Sequence, residues 1–447
     1  MLLLLLLLLP LFVNSQFICP TTPIIIDQGL SGSIPSNGSR FGALPANYTC
    51  DYEFNIPAGY AIRFNFYANY DYDNDNITYV DNLGIGYKLA SSTNNRPEWA
   101  VHPNAHLIVK TTTDTSKILV YYEYVDVSKF THYRRETGNT MSLSFQDRTY
   151  YSFYSKLNDS IVVQLSKHWN NYRIPASNYF IFDGADIITS KMIGRLSDFL
   201  NNPFNSTGPY ISFVNFYGTS YSDFLIANDK SALGFYSTYT FTLLANNPTY
   251  PQTVLSSSFG YSAITYYCVD CETLYLDSLL FSGQGNVQLV PQAPTSLNGA
   301  LITYESTEFN NSTQLPQVIP TKFFTIVYNG KYIETHLGVK SDNWLVPSDG
   351  RQGFIFSPNT WKAGTQSVFS YDFNSATNFK YSLSFLEHNL DASSTCHISI
   401  GSGLSETYGV NSTDYNDISA VGTFMNVTYN GDYLSNITIQ YQMNVSN

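Results

Sequence analysis

The chain has 447 residues and a formal charge of −12, with 22 Lys and Arg against 34 Asp and Glu. This balance argues against a nucleic-acid partner and against attachment to anionic membranes, because both need clustered cations. The 37 Tyr and 30 Phe favour half-buried β-strands, and the length predicts two to four domains at about 100 to 200 residues each. We therefore expect an all-β protein of several modules.

The N-terminus is typical of an export signal. An apolar run, mostly leucine, extends from Met1 to Val13. It is shorter than the about 20 residues that a membrane-spanning helix needs. Compact residues then precede a cleavage site between Ser15 and Gln16. We predict a signal peptide at residues 1–15 and a secreted, extracellular protein.

Eleven Asn-x-Ser/Thr patterns, the acceptor sequence for N-glycans, are spread over the whole chain and support export. The predicted glycosylation positions are Asn37, Asn47, Asn76, Asn158, Asn205, Asn310, Asn311, Asn411, Asn426, Asn436 and Asn444. The C-terminal residues lack the hydrophobic tail of a GPI signal, and no other segment is apolar enough to span a membrane. We expect a released glycoprotein.

The first pair of strands flanks a Pro-Ala-Gly turn that ends at Gly59. Apolar and polar residues alternate on both sides of this turn, which predicts two antiparallel strands with one buried face each. The apolar positions are Tyr52, Phe54, Ile56, Ile62, Phe64 and Phe66.

Cys50, these strands and their apolar-Pro-x-Gly-Tyr turn resemble the start of a CUB domain. They are most similar to the CUB-like group that is expanded in nematode secreted proteins. Cys19, Gly29 and the Gly32–Pro35 turn are similar to the N-terminal pattern of that group. The resemblance covers residues 17–142 and implies an antiparallel, jelly-roll-like β-sandwich. We assign a CUB-like domain to residues 16–145.

A second set of segments resembles the same family. Tyr179–Gly184 and Ile193–Leu196 are similar to a CUB strand, its Asp-Gly turn and a Leu-Gly-x-Leu segment. Gly234–Tyr239 resembles the Gly-Phe-x-Ala-x-Tyr stretch near the end of a CUB domain. We predict a second CUB-like domain at residues 146–245, which departs from the family because it contains no cysteine.

The remainder, residues 246–447, continues the alternating pattern in Lys322–Val327, Ser367–Phe373 and Tyr381–Phe385. A linker-like segment rich in Asn and Pro opens it. We predict one or two further β-sandwich modules here, with a split near Trp344–Pro347.

The five cysteines predict one clear pair. In an oxidising compartment we expect Cys19 and Cys50 to form a disulfide, which stabilises the fold by ~3 to 4 kcal/mol in the chain-entropy model. The spacing of Cys268 and Cys271 is compatible with a metal half-site, a redox pair or a structural pair. We expect Cys396 to bond one of these two, with the choice between them open.

Many CUB domains bind calcium through acidic loop residues. The resemblance therefore implies that two positions of the second module correspond to calcium ligands of the family. Asp229 stands where a family ligand would lie, but Asn178 stands where a ligand Asp usually precedes the Asp-Gly strand. A neutral amide is a weaker calcium ligand than a carboxylate. We predict no metal and no cofactor, with a cation near Asp229 left open.

Asp71, Asp73 and Asp75 have the spacing of an EF-hand loop. Asn76 stands where that loop needs Gly, and Asn82 where it needs the bidentate Glu. We interpret the segment as a solvated hairpin tip that carries a glycan.

The sequence contains no serine-hydrolase elbow, zinc-protease helix or phosphate-binding glycine loop. A glycosidase with paired carboxylates stays open, because carboxylates are plentiful.

We predict a protein without catalytic residues that recognises an extracellular protein or glycan. The resemblance implies a role in innate defence against microbes. The alternative is a structural glycoprotein of a mucosal or cuticular layer. Ligand identity and oligomeric state stay open.

Overall fold

The computed structural model describes residues 17–36, 41–166, 176–200, 203–218, 220–244, 253–256, 260–282, 285–294, 299–410, 412 and 417–446. Strands account for 58% of the described residues and helices for 6%, which confirms the all-β prediction. Within these ranges, no helix has the length and apolar character needed to cross a membrane.

The first module is a sandwich of two antiparallel sheets. Its strands are β1 (Ser31–Ile34), β2 (Gly42–Ala43), β3 (Thr49–Asn55), β4 (Tyr60–Asn69), β5 (Asn76–Val80), β6 (Gly86–Lys88), β7 (Ser92–Val101), β8 (Asn104–Lys110) and β9 (Lys117–Asp126). One sheet has the order β3-β8-β5-β6, and the other places β1 and β2 on β9, followed by β4 and β7. Tyr52, Phe54, Phe64 and Phe66 are buried between them, as their alternation predicts. Gly59 turns β3 into β4 with a φ of 83°, a conformation that favours glycine.

The second module has the same two-sheet form. Its strands are β10 (Thr131–Glu136), β11 (Asn139–Ser144), β12 (Thr149–Tyr154), β13 (Ile161–Leu165), β14 (Tyr179–Asp183), β15 (Lys191–Arg195), β16 (Phe204–Asn205), β17 (Tyr210–Asn215) and β18 (Ser220–Asp229). The sheets have the orders β10-β12-β17-β14-β15 and β11-β18-β13-β16. The pair β10–β12 is parallel, and the other pairs are antiparallel.

The third module repeats this arrangement. Its strands are β19 (Tyr236–Leu244), β20 (Thr253–Ser256), β21 (Tyr261–Cys268), β22 (Leu274–Ser282), β23 (Asn286–Pro291), β24 (Ile302–Glu305), β25 (Gln317–Ile319), β26 (Phe323–Asn329) and β27 (Tyr332–Gly338). The sheets have the orders β19-β21-β26-β23-β24 and β20-β27-β22-β25, and the pair β19–β21 is parallel.

These three modules share one topology. Strands β19 to β27 of the third module occupy the same places in the two sheets as β10 to β18 of the second, in the same order. The first module follows the same order from β2 to β9. The parallel strand that opens each of the other two modules (β10 and β19) corresponds here to a single bridge between Ile24 and Phe54. The first module also has an extra strand, β1, which pairs with β9. The chain therefore builds the same sandwich three times in succession.

The fourth module is a single antiparallel sheet with the order β28-β33-β29-β32-β30-β31. Its strands are β28 (Arg351–Phe356), β29 (Ser367–Asn389), β30 (Thr395–Ile400), β31 (Leu404–Tyr408), β32 (Ile418–Gly431) and β33 (Asn436–Val445). The predicted split near Trp344–Pro347 falls between β27 and β28.

Helices are short and lie in the connections. The α-helices are α1 (Lys230–Leu233), α2 (Asn311–Gln314) and α3 (Pro358–Trp361). The 3-10 helices are Ile26–Gln28, Val127–Lys129, Ala176–Asn178 and Leu196–Phe199.

Strand pairing shifts two predicted domain boundaries. Residues 131–144 form β10 and β11, which pair with β12 and β18, so the second module begins after Val127–Lys129 and not at residue 146. Gly234–Tyr239 leads into β19, which pairs with β21, so this stretch opens the third module and does not close the second. Alternation marks a strand but does not say which neighbour it joins.

The cysteines lie in separate parts of the fold. Cys19 is bonded to Cys50 at an S–S distance of 2.02 Å, and Cys268 is bonded to Cys271. The expectation that Cys396 bonds one of the latter pair is wrong. Cys396 is a free thiol buried in the core of the fourth module, whereas Cys268 belongs to the core of the third. Burial raises the pKa of the Cys396 thiol to about 12, so the thiol stays protonated.

Candidate functional site

An apolar seam joins the first two modules. Trp99 and Val101 of the first module pack in one cluster with Phe180, Met192 and Phe216 of the second. The Trp99 and Phe216 rings are stacked, with 4.9 Å between their centroids and 17° between their planes. Burial of such large rings between two surfaces is a strong apolar contact, and it holds the modules against each other.

A buried ion pair lies within the same contact. Arg195 Nη2 of the second module is 3.5 Å from Asp81 Oδ2 of the first, and the two side chains are 6% and 0% exposed. The Arg195 guanidinium also lies 4.7 Å from the centroid of the Phe180 ring and 5.3 Å from that of Tyr87. Asp81 Oδ1 also accepts from the backbone N–H groups of Leu83 and Ile85, so removal of Arg195 would leave a hydrogen-bonded but unpaired buried charge.

A second polar contact crosses the junction. The Tyr217 hydroxyl of the second module donates to Glu98 Oε2 of the first at 3.1 Å, and Arg96 Nε donates to Glu98 Oε1 at 2.7 Å. Burial raises the pKa of Tyr217 far above its ordinary value, so its hydroxyl keeps the proton that it donates. The angle between the modules is therefore set by directional as well as apolar contacts.

A groove opens beside this seam, with a volume of about 530 Å³. Trp99 and Phe216 contribute to its floor, and Phe130, from the connection between the modules, lies 6.1 Å from Phe216. Both modules contribute walls, so the groove exists only while the junction is intact. We refer to it as the junction groove.

Charged side chains of both signs line the junction groove. They are Arg63, Lys129, Arg148, Glu123, Asp126 and Asp147. On the outer face of the first module, Arg63 on β4 lies between Trp99 on β7 and Glu123 on β9 in register. Lys129 Nζ is 3.0 Å from Asp126 Oδ2. Hydrogen bonds from Ser128 and Lys129 lower the pKa of Asp126, which keeps this carboxylate charged.

This arrangement suits binding. It combines three cations and three carboxylates with aromatic floor residues, so the groove can hold a polar ligand by directed contacts and an apolar surface together. In the part of the chain that the structure describes, no group of three or more His, Cys, Asp or Glu side chains is arranged to hold a metal ion.

The two positions compared with a calcium site lie at opposite ends of the second module. Asn178 precedes Tyr179, which pairs with Asn215 at the end of β17. Strand β18 begins five residues after Asn215, at Ser220, and ends at Asp229. Its two ends are about 30 Å apart at the usual rise per residue of a strand. Asn178 and Asp229 therefore do not converge on one cation.

The acidic segment Asp71–Asp75 of the first module forms hydrogen bonds that stabilise its own turn and a neighbouring loop. Asp71 Oδ1 accepts from the backbone of Asp73 and Asn74, which forms a tight turn. Asp75 is only 2% exposed, so the prediction of a fully solvated tip is wrong at this residue. Its carboxylate accepts hydrogen bonds from the loop that precedes β9. The donors are the backbone N–H groups of Thr112 and Thr113 and the hydroxyls of Thr112, Thr113 and Ser116.

Asp75 is expected to make the stability of the first module depend on pH in acid. Burial alone would raise the pKa of this carboxyl, but the hydrogen bonds from Ser116, Thr112 and Thr113 outweigh burial and lower it to about 2. Since the unfolded carboxyl titrates near pH ~4, its contribution is complete above about pH 4 and is lost as the pH falls towards 2. Asp75→Asn should lose about 2 kcal/mol of unfolding free energy at neutral pH and show a flatter acid limb, measured by urea unfolding across this pH range.

Asp73→Asn is the matched control, because Asp73 is exposed in the same turn. This control should keep the wild-type acid limb. An Asp75→Asn protein with the wild-type pH dependence would contradict the assignment.

The predicted glycosylation positions differ in exposure. Asn47, Asn158, Asn205 and Asn310 are exposed. Asn76, Asn311, Asn426, Asn436 and Asn444 are half-buried. Asn37, Asn411 and the predicted signal peptide lie outside the described residues. Asn311 Oδ1 accepts from the Leu279 backbone N–H at 3.1 Å, whereas Asn310 caps α2 at the surface, so the overlapping pair presents two different environments.

The residues of the junction groove were not predicted from the sequence. One signal was present: Arg63 is the outward charge between Ile62 and Phe64 in an otherwise aromatic strand. Its partner residues come from distant strands and from a second module, so no local pattern links them.

Comparison with known proteins identifies the first module. The CUB-like domain family matches residues 14–128, so the chain contains a CUB-like domain. Domains of this kind are generally non-catalytic binding modules and are typically extracellular. No curated protein matches the chain in sequence.

Three solved structures show a partial likeness to the chain. The CUB1-EGF-CUB2 domain of human MASP-1/3 is 10% identical, with 45% of this chain and 100% of that chain covered and a TM-score of 0.19. The corresponding domains of rat MASP-1 are 8% identical, with 70% and 99% covered and a TM-score of 0.20. The extracellular region of zebrafish Gpr126/Adgrg6 is 9% identical, with 72% and 52% covered and a TM-score of 0.20. At these TM-scores the likeness carries no weight for function.

Proposed function

We propose that this chain is a secreted glycoprotein that recognises an extracellular protein or glycan through the junction groove. The observation that carries the proposal is the groove itself, which two modules build around Trp99 and Phe216. The leucine-rich N-terminus, the acceptor sequences and the disulfides support secretion. The presence of a CUB-like domain supports a binding role over a catalytic one.

We further propose that the second and third modules are CUB-like, because they repeat the strand order of the first. Resemblance of residues 17–142 to the nematode-expanded CUB-like group supports a role in innate defence against microbes.

The chemistry of the groove favours a polar ligand without a large net charge. Its cations and carboxylates are equal in number, and Lys129 and Asp126 already form an ion pair. Arg63 and Arg148 are exposed and supply donors at the two sides of the groove, Arg63 on the first module and Arg148 on the second. A neutral glycan or a polar loop of a protein meets these requirements.

The groove is expected to lose its ligand when its arginines are removed. Ligands would first be found with a glycan array and with pull-downs from extracellular extracts, by use of the full-length secreted protein. Arg63→Ala and Arg148→Ala should each weaken binding of the selected ligand about tenfold, because a charge-assisted hydrogen bond is worth ~1.5 kcal/mol or more. Affinity would be measured by surface plasmon resonance.

Arg134→Ala is the matched control, because Arg134 is exposed on β10 and does not line the groove. Equal weakening by the control and the groove variants would contradict the proposal. Absence of any selective ligand, with incorporation of the protein into an insoluble surface layer, would favour the structural glycoprotein instead.

A further inference from the structure

A second groove lies where the second, third and fourth modules meet. Its volume is about 580 Å³. Arg135 of β10, Lys322 before β26 and Lys362 after α3 each contribute to its walls. Three modules therefore bring cations to one concave surface. We refer to it as the basic groove.

The charge of this groove is opposite to that of the chain. It contains three cations and one carboxylate, Glu272, in a protein with a formal charge of −12. Lys322 Nζ is 2.8 Å from Glu272 Oε1, so this pair is locally neutral. Arg135 Nη1 donates to the Thr140 carbonyl at 3.0 Å. Within the described ranges, no carboxylate lies within ion-pair distance of Arg135 or Lys362, so two positive charges are left uncompensated.

Most of the other lining residues carry groups that can form hydrogen bonds with a sugar. Hydroxyl and amide side chains are supplied by Asn139, Thr140, Thr273, Gln292 and Thr365. Such groups act as both donors and acceptors, which matches the hydroxyls of a sugar ring.

Two aromatic rings complete the wall. Tyr267 and Phe323 are half-buried and lie edge to face, with 5.9 Å between their centroids. Their inner parts pack against the cluster of Ile226 and Phe241, which fixes the rings in place. A fixed, partly exposed ring is a ready apolar surface for the face of a sugar.

We propose that the basic groove binds an anionic polysaccharide, a glycan chain that carries sulfate or carboxylate groups. Arg135 and Lys362 contact the anionic groups, and the hydroxyl, amide and aromatic side chains contact the sugar rings. This site differs from the junction groove in position and in ligand charge, so it does not depend on the function proposed above.

The test uses the full-length protein and a sulfated heparin oligosaccharide, with its desulfated, N-acetylated and carboxyl-reduced form as the uncharged probe. We expect the sulfated oligosaccharide to bind at least tenfold more tightly, and the affinity to fall at least tenfold between about 50 and about 500 mM NaCl because salt screens the charges. Arg135→Ala/Lys362→Ala should weaken binding at least tenfold. Binding would be measured by isothermal titration calorimetry.

Arg134→Ala/Lys331→Ala is the matched control, because it removes the same charge at exposed positions outside the groove. This control and the junction-groove variants should keep the wild-type affinity. Equal binding of the two oligosaccharides would overturn the proposal, as would an equal loss in the control. If poly-glutamate bound more tightly than the sulfated oligosaccharide, the groove would be assigned to acidic peptides. If inorganic sulfate bound as tightly as that oligosaccharide, the groove would be only an ion site. Circular dichroism would confirm that each variant is folded.

Discussion

Replacement of Arg195 by methionine is expected to destabilise the first two modules by about 3 to 5 kcal/mol, because Asp81 would stay buried without its positive partner. Both side chains are almost completely excluded from solvent, at 6% and 0% exposure. Methionine keeps most of the side-chain volume, so the effect reports on the loss of the guanidinium, including its hydrogen bond to the Ser177 carbonyl. Chemical unfolding with fluorescence detection would measure the free energy of the transition that contains these modules.

Two further variants make this experiment decisive. Arg134→Met alters an exposed arginine of the same module and should change stability by less than about 0.5 kcal/mol. The double variant Asp81→Leu/Arg195→Met should recover much of the loss, since a buried ion pair is often replaceable by apolar groups. A loss in the double variant equal to the sum of the losses in Asp81→Leu alone and Arg195→Met alone would show that the two side chains are not coupled across the junction.

Replacement of Trp361 by alanine should have an effect of similar size at the other end of the chain. Trp361 ends α3 of the fourth module, but it is 1% exposed and packs within the core of the third. Its ring lies 6.1 Å from that of Phe324 on β26 and 5.5 Å from that of Phe356 on β28. Truncation of a buried tryptophan typically costs about 3 to 5 kcal/mol through lost burial and the cavity that is left.

The same variant should separate the two modules in an unfolding experiment. We expect Trp361→Ala to lower the melting temperature of the third module and to expose residues 339–350, between β27 and β28, to limited proteolysis. Trp361→Phe keeps an aromatic ring and should show a smaller loss. Wild-type melting and protease resistance in the alanine variant would refute a role of Trp361 in docking the modules.

Fixed contacts between modules explain why the candidate sites lie at junctions. The junction groove depends on the seam of Trp99 and Phe216 and on the pair of Asp81 and Arg195. The third and fourth modules are joined by Gln317, which donates to the Phe354 carbonyl and accepts from its N–H, at 2.8 and 3.0 Å. A concave surface between two sandwiches keeps its shape only if their relative position is set in this way.

The repeated topology was accessible from the sequence only in part. The two strands around Gly59 were predicted because both alternate and are adjacent in the chain, but β3 pairs with β8 and β4 with β7 and β9, so the two lie in opposite sheets and are not paired with each other. The module boundaries were not, because β10 and β19 each join the following module through a parallel pairing. The partner of a parallel strand lies beyond a crossover, so the local pattern does not identify it.

The sequence by itself determined the all-β class and the presence of a CUB-like domain at its N-terminal end. These are local properties, since a period of two along a strand and a turn that needs glycine are written in consecutive residues. Only the tertiary structure decided that Cys396 is isolated, that Asp75 is buried and that Arg195 meets Asp81. Each of these depends on residues that are distant in the chain and meet only when the modules pack, and side-chain burial and charge pairing act through space.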